Sequence, residues 1–248
     1  MSAKLYALEL SHPSQAVRLM LERKGIDHEV KYLLPGFHPP VLRLAGFRGD
    51  TVPALKIDGR RLQNSVAISR ALDEVRPDPP LYPDDPERRR AVEEAEAWGE
   101  REFQPVPRRI FRWSVTNNAD LRRQLARAIG MPLPNVAAAM NVPIAKHFAR
   151  KAGAGDEQVR TDLQDLPALL DDVDGLIEAG TIGGTEPNAA DFQIGTTARV
   201  FLSIEDLAPL LEGRPTKELA LSILPAYVGR TPKVLPPEWL AGVVTAPA

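Results

Sequence analysis

The sequence predicts two domains, an α/β domain over residues 1–78 and an all-helical domain over residues 85–248. The first observation is that apolar residues in the first domain alternate between the spacing of strands and the spacing of helices. The second is that prolines crowd residues 77–80, as in a stiff linker, which we place at residues 79–84. The third is that no strand pattern follows the linker. The change of period therefore marks the boundary between the domains.

Each element of the first domain is predicted from its local pattern. Alternating or continuous apolar runs indicate strands, and apolar residues three and four apart indicate helices. The dipeptide Asp58-Gly59 is typical of a tight hairpin turn. The first two strands should be parallel because a helix joins them, and the last two should be antiparallel. Strands are predicted at residues 4–10, 28–33, 52–57 and 60–63, and helices at 11–24 and 65–75, with room for one short helix in 35–49.

The second domain is predicted to be entirely helical. Pro105 and Pro107 should break or kink the chain after its first helix, because proline removes a helical hydrogen bond. The helix that begins at Asn188 is the most apolar, so we expect it at the centre of the domain. Seven prolines in residues 209–248 predict a partly irregular tail. Helices are predicted at residues 86–103, 119–129, 134–152, 157–179, 188–204 and 216–227.

Composition excludes several classes of protein. The 248 residues include no cysteine, which excludes disulfides, a catalytic protein thiolate and cysteine-ligated metals. Residues 1–82 carry 12 basic and 9 acidic side chains and the rest 19 and 24, whereas a nucleic-acid-binding domain is strongly basic. No apolar run has the length of a membrane span, and the N-terminus has no secretory signal. We therefore expect a cytoplasmic protein with no nucleic-acid, membrane or metal partner.

Four short motifs stand out along the chain. They are residues 11–21 (SHPSQAVRLML), 51–55 (TVPAL), 62–68 (LQNSVAI) and 188–191 (NAAD), the last with the spacing of a helix capping box. In this order and spacing they resemble the glutathione S-transferase family, and the resemblance covers nearly the whole chain. It implies a thioredoxin-like N-terminal domain, an all-helical C-terminal domain, glutathione as co-substrate without a metal, and a homodimer.

Ser11 is the candidate catalytic residue. It precedes the first helix, at the position where serine-type members of the family place the serine that donates a hydrogen bond to the glutathione sulfur. A hydroxyl donor and a helix N-terminus both stabilise a thiolate, and activation requires that the pKa of the thiol falls from about 8.5. Ser11 and Ser14 are also good helix caps, and the sequence leaves open which of them acts on the sulfur.

The expected glutathione site consists of Val52, Pro53, Asn64 and Ser65. The resemblance implies a cis Val52-Pro53 bond, beside which the Val52 backbone pairs with the peptide ligand. It also implies that Asn64 and Ser65 hold the γ-glutamyl carboxylate, at a helix N-terminus that favours an anion. The alternative is that either residue is only a helix cap. Many relatives carry Glu or Gln at the position of Asn64, so recognition of the glutamyl ammonium is an open question.

An acceptor-substrate pocket is expected at His12, Arg109 and Trp113, because the family's acceptor site often lies beside this part of the chain. Arginine and aromatic side chains suit a planar or anionic electrophile. The alternative is that residues 108–113 form a solvated basic face with Trp113 packed inside, and that His12 is an exposed loop residue.

Two functions of different classes follow from the resemblance. The first is an enzyme, a glutathione transferase that activates glutathione or another small thiol for attack on a small electrophilic or apolar substrate, as in detoxification. Its logic is proximity together with stabilisation of the thiolate. The second is a non-catalytic scaffold of the same fold that binds apolar ligands or protein partners. Binding to immobilised glutathione is the simplest measurement that separates them.

Overall fold

A four-stranded mixed sheet organises the first domain of the structure, a computed structural model that describes residues 3–128 and 130–243. The strand order is β2-β1-β3-β4, with β1 parallel to β2 and the other neighbours antiparallel. The predicted parallel pair and hairpin are both confirmed. The strands are β1 (Ala3–Ala7), β2 (His28–Tyr32), β3 (Ala54–Ile57) and β4 (Arg60–Gln63).

Three helices complete this domain: α1 (His12–Arg23), α2 (His38–Leu44) and α3 (Ser65–Val75). The first strand is shorter than predicted, because β1 ends at Ala7 rather than at residue 10. The chain turns between the end of β1 and the start of α1, where the Ser11 N–H donates to the Leu8 carbonyl oxygen at 3.0 Å. This turn lets α1 begin at His12, so the end of the predicted strand is in fact the entry to the helix.

The second domain is helical, as predicted. Among its described residues no strand occurs, and Ile204 and Thr231 form an isolated parallel bridge. Residues 76–85 form neither helix nor strand. The predicted limits of the two domains and of the linker between them stay a prediction. Residue 129, the last of the helix predicted at 119–129, lies outside the described residues, as do residues 244–248 of the predicted tail. The helices are α4 (Pro86–Trp98), α5 (Pro105–Asn117), α6 (Ala119–Ala128), α7 (Pro134–Met140), α8 (Val142–Lys151), α9 (Asp156–Glu178), α10 (Ala189–Leu202), α11 (Pro215–Ile223) and α12 (Pro237–Leu240), with a 3₁₀ turn at Ala208–Leu211.

The expected break at Pro105 and Pro107 does not occur. A π turn at Gly99–Phe103 joins α4 to α5, and the Gln104 N–H donates to the Gly99 carbonyl oxygen at 2.8 Å. Both prolines lie in the first turn of α5, and a proline there lacks only an N–H that the start of an α-helix leaves unpaired. The chain is therefore not broken at these prolines, whereas a kink there stays a prediction.

The helix predicted at residues 134–152 is two helices. α7 ends at Met140 and α8 begins at Val142, with Asn141 between them. Pro143 lies in the first turn of α8, where its missing N–H favours a new helix start over a continuous helix.

Helix α10 lies at the centre of the second domain, as its apolar sequence predicted. Most of its residues are buried, and it packs against α1, α4 and α11. The predicted capping box is present. The Asn188 side chain accepts from the Ala190 and Asp191 N–H groups, and the Asp191 carboxylate accepts from the Asn188 N–H at 2.8 Å. The same carboxylate accepts from the Gly183 N–H at 2.6 Å, so it also fixes the loop before the helix.

Glu96 on α4 is a buried carboxyl group that contacts α3 and the linker. Its Oε1 atom accepts from the Ser69 hydroxyl at 2.7 Å and its Oε2 atom accepts from the Tyr82 hydroxyl at 2.8 Å. The nearest cation is the Arg70 guanidinium, 3.6 Å from Oε2. Burial raises the pKa of Glu96 to about 7, and the two hydroxyls and Arg70 lower it only in part.

We predict that this group makes the protein less stable as the pH rises from about 4.5 to about 7. The folded state holds the proton up to about pH 7, whereas an unfolded Glu releases it near 4.5. The stability from the protonated form is therefore complete below pH 4.5 and is lost as the pH approaches 7, by about 2–3 kcal/mol. Glu96→Gln should remove this loss, because its amide stays neutral.

Urea unfolding at pH 5 and pH 8 measures the loss of unfolding free energy, with the exposed Glu94→Gln variant as the control. An equal loss in wild type and Glu96→Gln would contradict the assignment.

Candidate functional site

The residues predicted to bind glutathione lie on segments that meet at one end of the sheet. Tyr6 near the end of β1 pairs with Ala54 at the start of β3, and Ala54 pairs with Gln63 at the end of β4. The segments that follow β1, precede β3 and follow β4 therefore leave the sheet at the same edge. A hydrogen bond of 3.3 Å from the Asn64 N–H to the Pro53 carbonyl oxygen links two of them directly.

Ser11 is the N-cap of α1 and has a hydroxyl hydrogen that is free to donate. Its Oγ atom accepts from the Ser14 N–H at 3.4 Å and from the Ser14 hydroxyl at 3.0 Å. Ser14 is buried, whereas Ser11 is partly exposed. Because the Ser11 oxygen accepts both bonds, its own O–H can point outward to a ligand. The structure therefore places Ser14 behind Ser11, a relation that the sequence left open.

The Val52-Pro53 peptide bond is cis, as the resemblance implied. Val52 lies outside the sheet ladder, whose first paired residue in β3 is Ala54. Its backbone is therefore not used by the neighbouring strands. A second cis bond, Asp78-Pro79, lies in the linker and was not predicted.

Asn64 and Ser65 start α3, and they have different roles. The Asn64 side chain caps the helix by accepting from the Val66 N–H at 2.8 Å and the Ala67 N–H at 3.3 Å. Its amide also donates to the Glu100 carboxylate on the π turn. Ser65 is 3% exposed, and its hydroxyl has no hydrogen-bond partner within residues 3–128 and 130–243. A free hydroxyl at a helix N-terminus suits an anion.

Glu100 is a site residue that sequence analysis did not find. It lies 36 residues beyond Asn64, and only the path of the π turn brings the two together. Its carboxylate supplies a negative charge beside the neutral Asn64 side chain. The one signal in the sequence is its spacing of four residues from Glu96, which also faces α3.

His12 is buried, so the expectation of an exposed loop histidine was wrong. Helix α10 covers it, and its Nδ1 atom lies 3.1 Å from the Thr197 hydroxyl oxygen. The Thr197 hydroxyl donates to the Gln193 carbonyl oxygen, so Nδ1 must be the donor to Thr197. Burial and then the nearby Arg108 hold the pKa of His12 well below 6.5, which keeps the ring neutral. His12 thus ties the first turn of α1 to α10.

Arg109 and Trp113 both form their side-chain hydrogen bonds within the helical domain. The Arg109 guanidinium binds the buried Asp162 carboxylate through two bonds of 2.6 Å. The Trp113 N–H donates to Asp156 at 2.7 Å, and its ring packs on Trp239 with centroids 4.8 Å apart. The packed alternative therefore describes Trp113 well. Arg109 is engaged because its Nε and one of its Nη atoms donate to Asp162, so neither residue belongs to the acceptor site that we propose.

Comparison with known proteins identifies the N-terminal domain. Residues 5–80 match the family model described as "Glutathione S-transferase, N-terminal domain". These residues therefore form a glutathione S-transferase N-terminal domain. Maleylacetoacetate isomerase from Rattus norvegicus is 39% identical over 94 residues, and the match covers 36% of this chain and 43% of the relative. Probable maleylacetoacetate isomerase 2 from Drosophila melanogaster is 51% identical over 100 residues, 36% of this chain and 41% of the relative. The chain thus matches less than half the length of these relatives.

Solved structures of this glutathione S-transferase fold extend the likeness to both domains. The β-etherase LigF from Sphingobium sp. strain SYK-6 superposes with a TM-score of 0.65 at 18% identity, over 92% of this chain and 96% of that chain. Glutathione transferase F7 from Populus trichocarpa gives 0.61 at 17% identity, over 89% and 92%. These likenesses show the fold. The described residues contain no cluster of three or more metal-ligating side chains. No helix among them is long and apolar enough to cross a membrane.

Proposed function

We propose that this protein binds glutathione, stabilises its thiolate at Ser11 and adds it to a small electrophilic acceptor. The observation that carries the proposal is the free hydroxyl hydrogen of Ser11 at the N-terminus of α1, at the same sheet edge as Val52-Pro53 and Ser65. We also propose, from the family resemblance, that the protein acts in detoxification as a cytoplasmic homodimer.

The proposed chemistry at sulfur needs only the first turn of α1. The Ser14 hydroxyl donates to the Ser11 oxygen, and the Ser11 O–H donates to the sulfur. Both the polarised hydroxyl and the positive end of the helix dipole favour the anion, so the pKa of the bound thiol falls. The thiolate then forms a sulfur–carbon bond to the acceptor, and the electron pair leaves with a leaving group or enters a conjugated system.

The rest of glutathione would be held by three chemically distinct groups. The Ser65 hydroxyl and the N-terminus of α3 suit the γ-glutamyl carboxylate. Glu100 suits the glutamyl ammonium, which compensates for the neutral Asn64. The unpaired Val52 backbone suits the central peptide unit of the ligand, in the manner of an added strand.

Isomerisation of the acceptor is a second candidate reaction, favoured by the two relatives named as maleylacetoacetate isomerases. In an isomerisation the thiol adds and then leaves unchanged, whereas in a transfer it remains on the product. Measurement of free thiol during turnover therefore distinguishes the two reactions.

We predict that Ser65→Ala weakens glutathione binding by about tenfold to a hundredfold, because a charge-assisted hydrogen bond is worth roughly 1.5–3 kcal/mol. Turnover at saturating glutathione should change much less, because Ser65 is remote from the sulfur. Isothermal titration calorimetry with glutathione measures the change. Ser222→Ala on the exposed face of α11 is the matched control and should bind like wild type. If wild type binds neither glutathione nor another small thiol, the scaffold function replaces the enzyme.

A further inference from the structure

Polar side chains recur at every fourth residue of the helical stretch from α4 to α5, and the first two of them contact the N-terminal domain. Glu96 binds Ser69, Glu100 binds Asn64, and Gln104 accepts from Arg108. The Phe148 ring beside Arg112 stacks on His38 of α2. This row, which we call the polar row, consists of Glu96, Glu100, Gln104, Arg108 and Arg112. It is acidic at one end and basic at the other.

The π turn keeps the polar row on one side of the helix. An α-helix has about 3.6 residues per turn, so each step of four residues rotates a side chain by about 40° past its predecessor. The π turn at Gly99–Phe103 is wider and takes back part of that rotation. The two arginines therefore stay on the face that carries Glu96 and Glu100, while Arg109 turns away to Asp162.

Arg108 and Arg112 are partly buried cations without a carboxylate partner among the described residues. The Arg108 guanidinium donates to the neutral Gln104 side chain, and Arg112 donates to the Phe148 carbonyl oxygen at 2.9 Å. Burial, followed by the charges of Arg112 and Arg109, lowers the pKa of Arg108 to about 10, and burial also lowers the pKa of Arg112. A desolvated cation is unfavourable unless an anion accompanies it.

Arg112 lies beside an apolar groove, and Arg108 lies four residues before it on α5. Arg112 stacks on the Phe148 ring, with its guanidinium carbon 5.2 Å from the ring centroid. The groove runs between helix α8 and the first turn of α2 with the segment that precedes it. It is lined by Gly36, Pro39, Pro40, Pro143, Ile144, His147 and Phe148.

We propose that Arg108 and Arg112 form a subsite for a carboxylate group of the acceptor, whose apolar part lies in the groove at Phe148. The proposal rests on the proposed function and specifies its acceptor as a small organic carboxylate. A guanidinium binds a carboxylate through two parallel hydrogen bonds, which neutral side chains cannot reproduce. Glu100, at the other end of the polar row, repels the same anion and attracts the glutamyl ammonium, so one helix face orients both ligands.

The test compares two probes of similar shape, the anion 3-nitrobenzoate and the neutral 3-nitrobenzamide, in titrations of the full chain at pH 7.5. Wild type should bind the carboxylate at least about tenfold more tightly than the amide. Arg108→Gln and Arg112→Gln should each reduce this preference at least about fivefold, and Arg108→Lys should retain part of it because it keeps the charge without the fork. Arg101→Gln, an exposed arginine on the π turn, is the matched control and should keep the wild-type preference.

Circular dichroism of each variant shows whether it has folded, and two independent Gln variants keep the test decisive if one does not. Equal binding of the two probes by wild type, or no binding of either, overturns the subsite. An unchanged preference in both folded Gln variants overturns it as well. Turnover of 4-chloro-3-nitrobenzoate and its amide with glutathione is measured separately. A carboxylate preference in binding without any turnover leaves the subsite in place and counts against the proposed enzyme function.

Discussion

Ser11→Ala should lower turnover about tenfold to a hundredfold while the affinity for glutathione stays close to that of wild type. The Ser11 oxygen accepts from the Ser14 hydroxyl, which leaves the Ser11 O–H free to donate to a ligand. A hydrogen bond that strengthens as charge develops on sulfur contributes to the rate more than to binding, and its loss is worth roughly 1.5–3 kcal/mol. Steady-state kinetics over a range of glutathione concentrations measures both quantities.

Ser14→Ala is the matched control for this substitution. It removes the hydroxyl that donates to Ser11 but leaves the Ser11 O–H in place, so turnover should fall by a smaller factor. Loss of the Ser11 cap also lowers the stability of α1 by roughly 1 kcal/mol, so rates are compared at a temperature at which both variants are folded. A larger loss of rate in Ser14→Ala than in Ser11→Ala would mean that Ser14, and not Ser11, contacts the sulfur.

Asp191→Ala should lower the free energy of unfolding by about 2–5 kcal/mol, because two buried donors depend on one carboxylate. The Asp191 carboxylate is 1% exposed and accepts from the N–H groups of Asn188 and Gly183. Its removal leaves both backbone donors without their acceptor, and each unsatisfied buried donor costs roughly 1–3 kcal/mol. The affected helix, α10, is the one against which α1 packs. Denaturant unfolding should show the loss as a lower midpoint at an unchanged slope.

Two further variants serve as references for the size of this loss of unfolding free energy. Asp191→Asn keeps one acceptor oxygen and should lose roughly half as much stability. Glu157→Ala removes an exposed acid from the first turn of α9 and should change the free energy of unfolding by less than about 1 kcal/mol. A loss for Asp191→Ala as small as that for Glu157→Ala would mean that the capping box does not hold α10 in place.

Much of the fold could be predicted because the signals are local. The hairpin depends on Asp58-Gly59 within one turn, and the capping box depends on Asn188 and Asp191 three residues apart. Elements whose ends depend on more distant residues were predicted less well. Pro105 reads as a helix break in sequence, yet the π turn before it carries the helix onward.

The candidate site was predictable where a motif carries it and not where packing decides it. Ser11, Pro53 and Ser65 lie within short motifs. His12 was misplaced because Thr197, 185 residues away, is its hydrogen-bond partner. Arg109 was a candidate for the acceptor pocket, yet it binds Asp162, because the sequence does not reveal which residues of α5 face the other helices. A π turn shifts the faces of the helix that follows it by about one residue.

The most direct test of the proposed function is the pKa of the thiol of bound glutathione, measured by the ultraviolet absorbance of the thiolate as the pH is varied. The free thiol titrates near 8.5. We expect the thiol bound to wild type to titrate at least about one unit lower, and the thiol bound to Ser11→Ala to return most of the way to the free value. A bound thiol that titrates like the free one in wild type, or equally low in both proteins, would contradict activation of glutathione by Ser11.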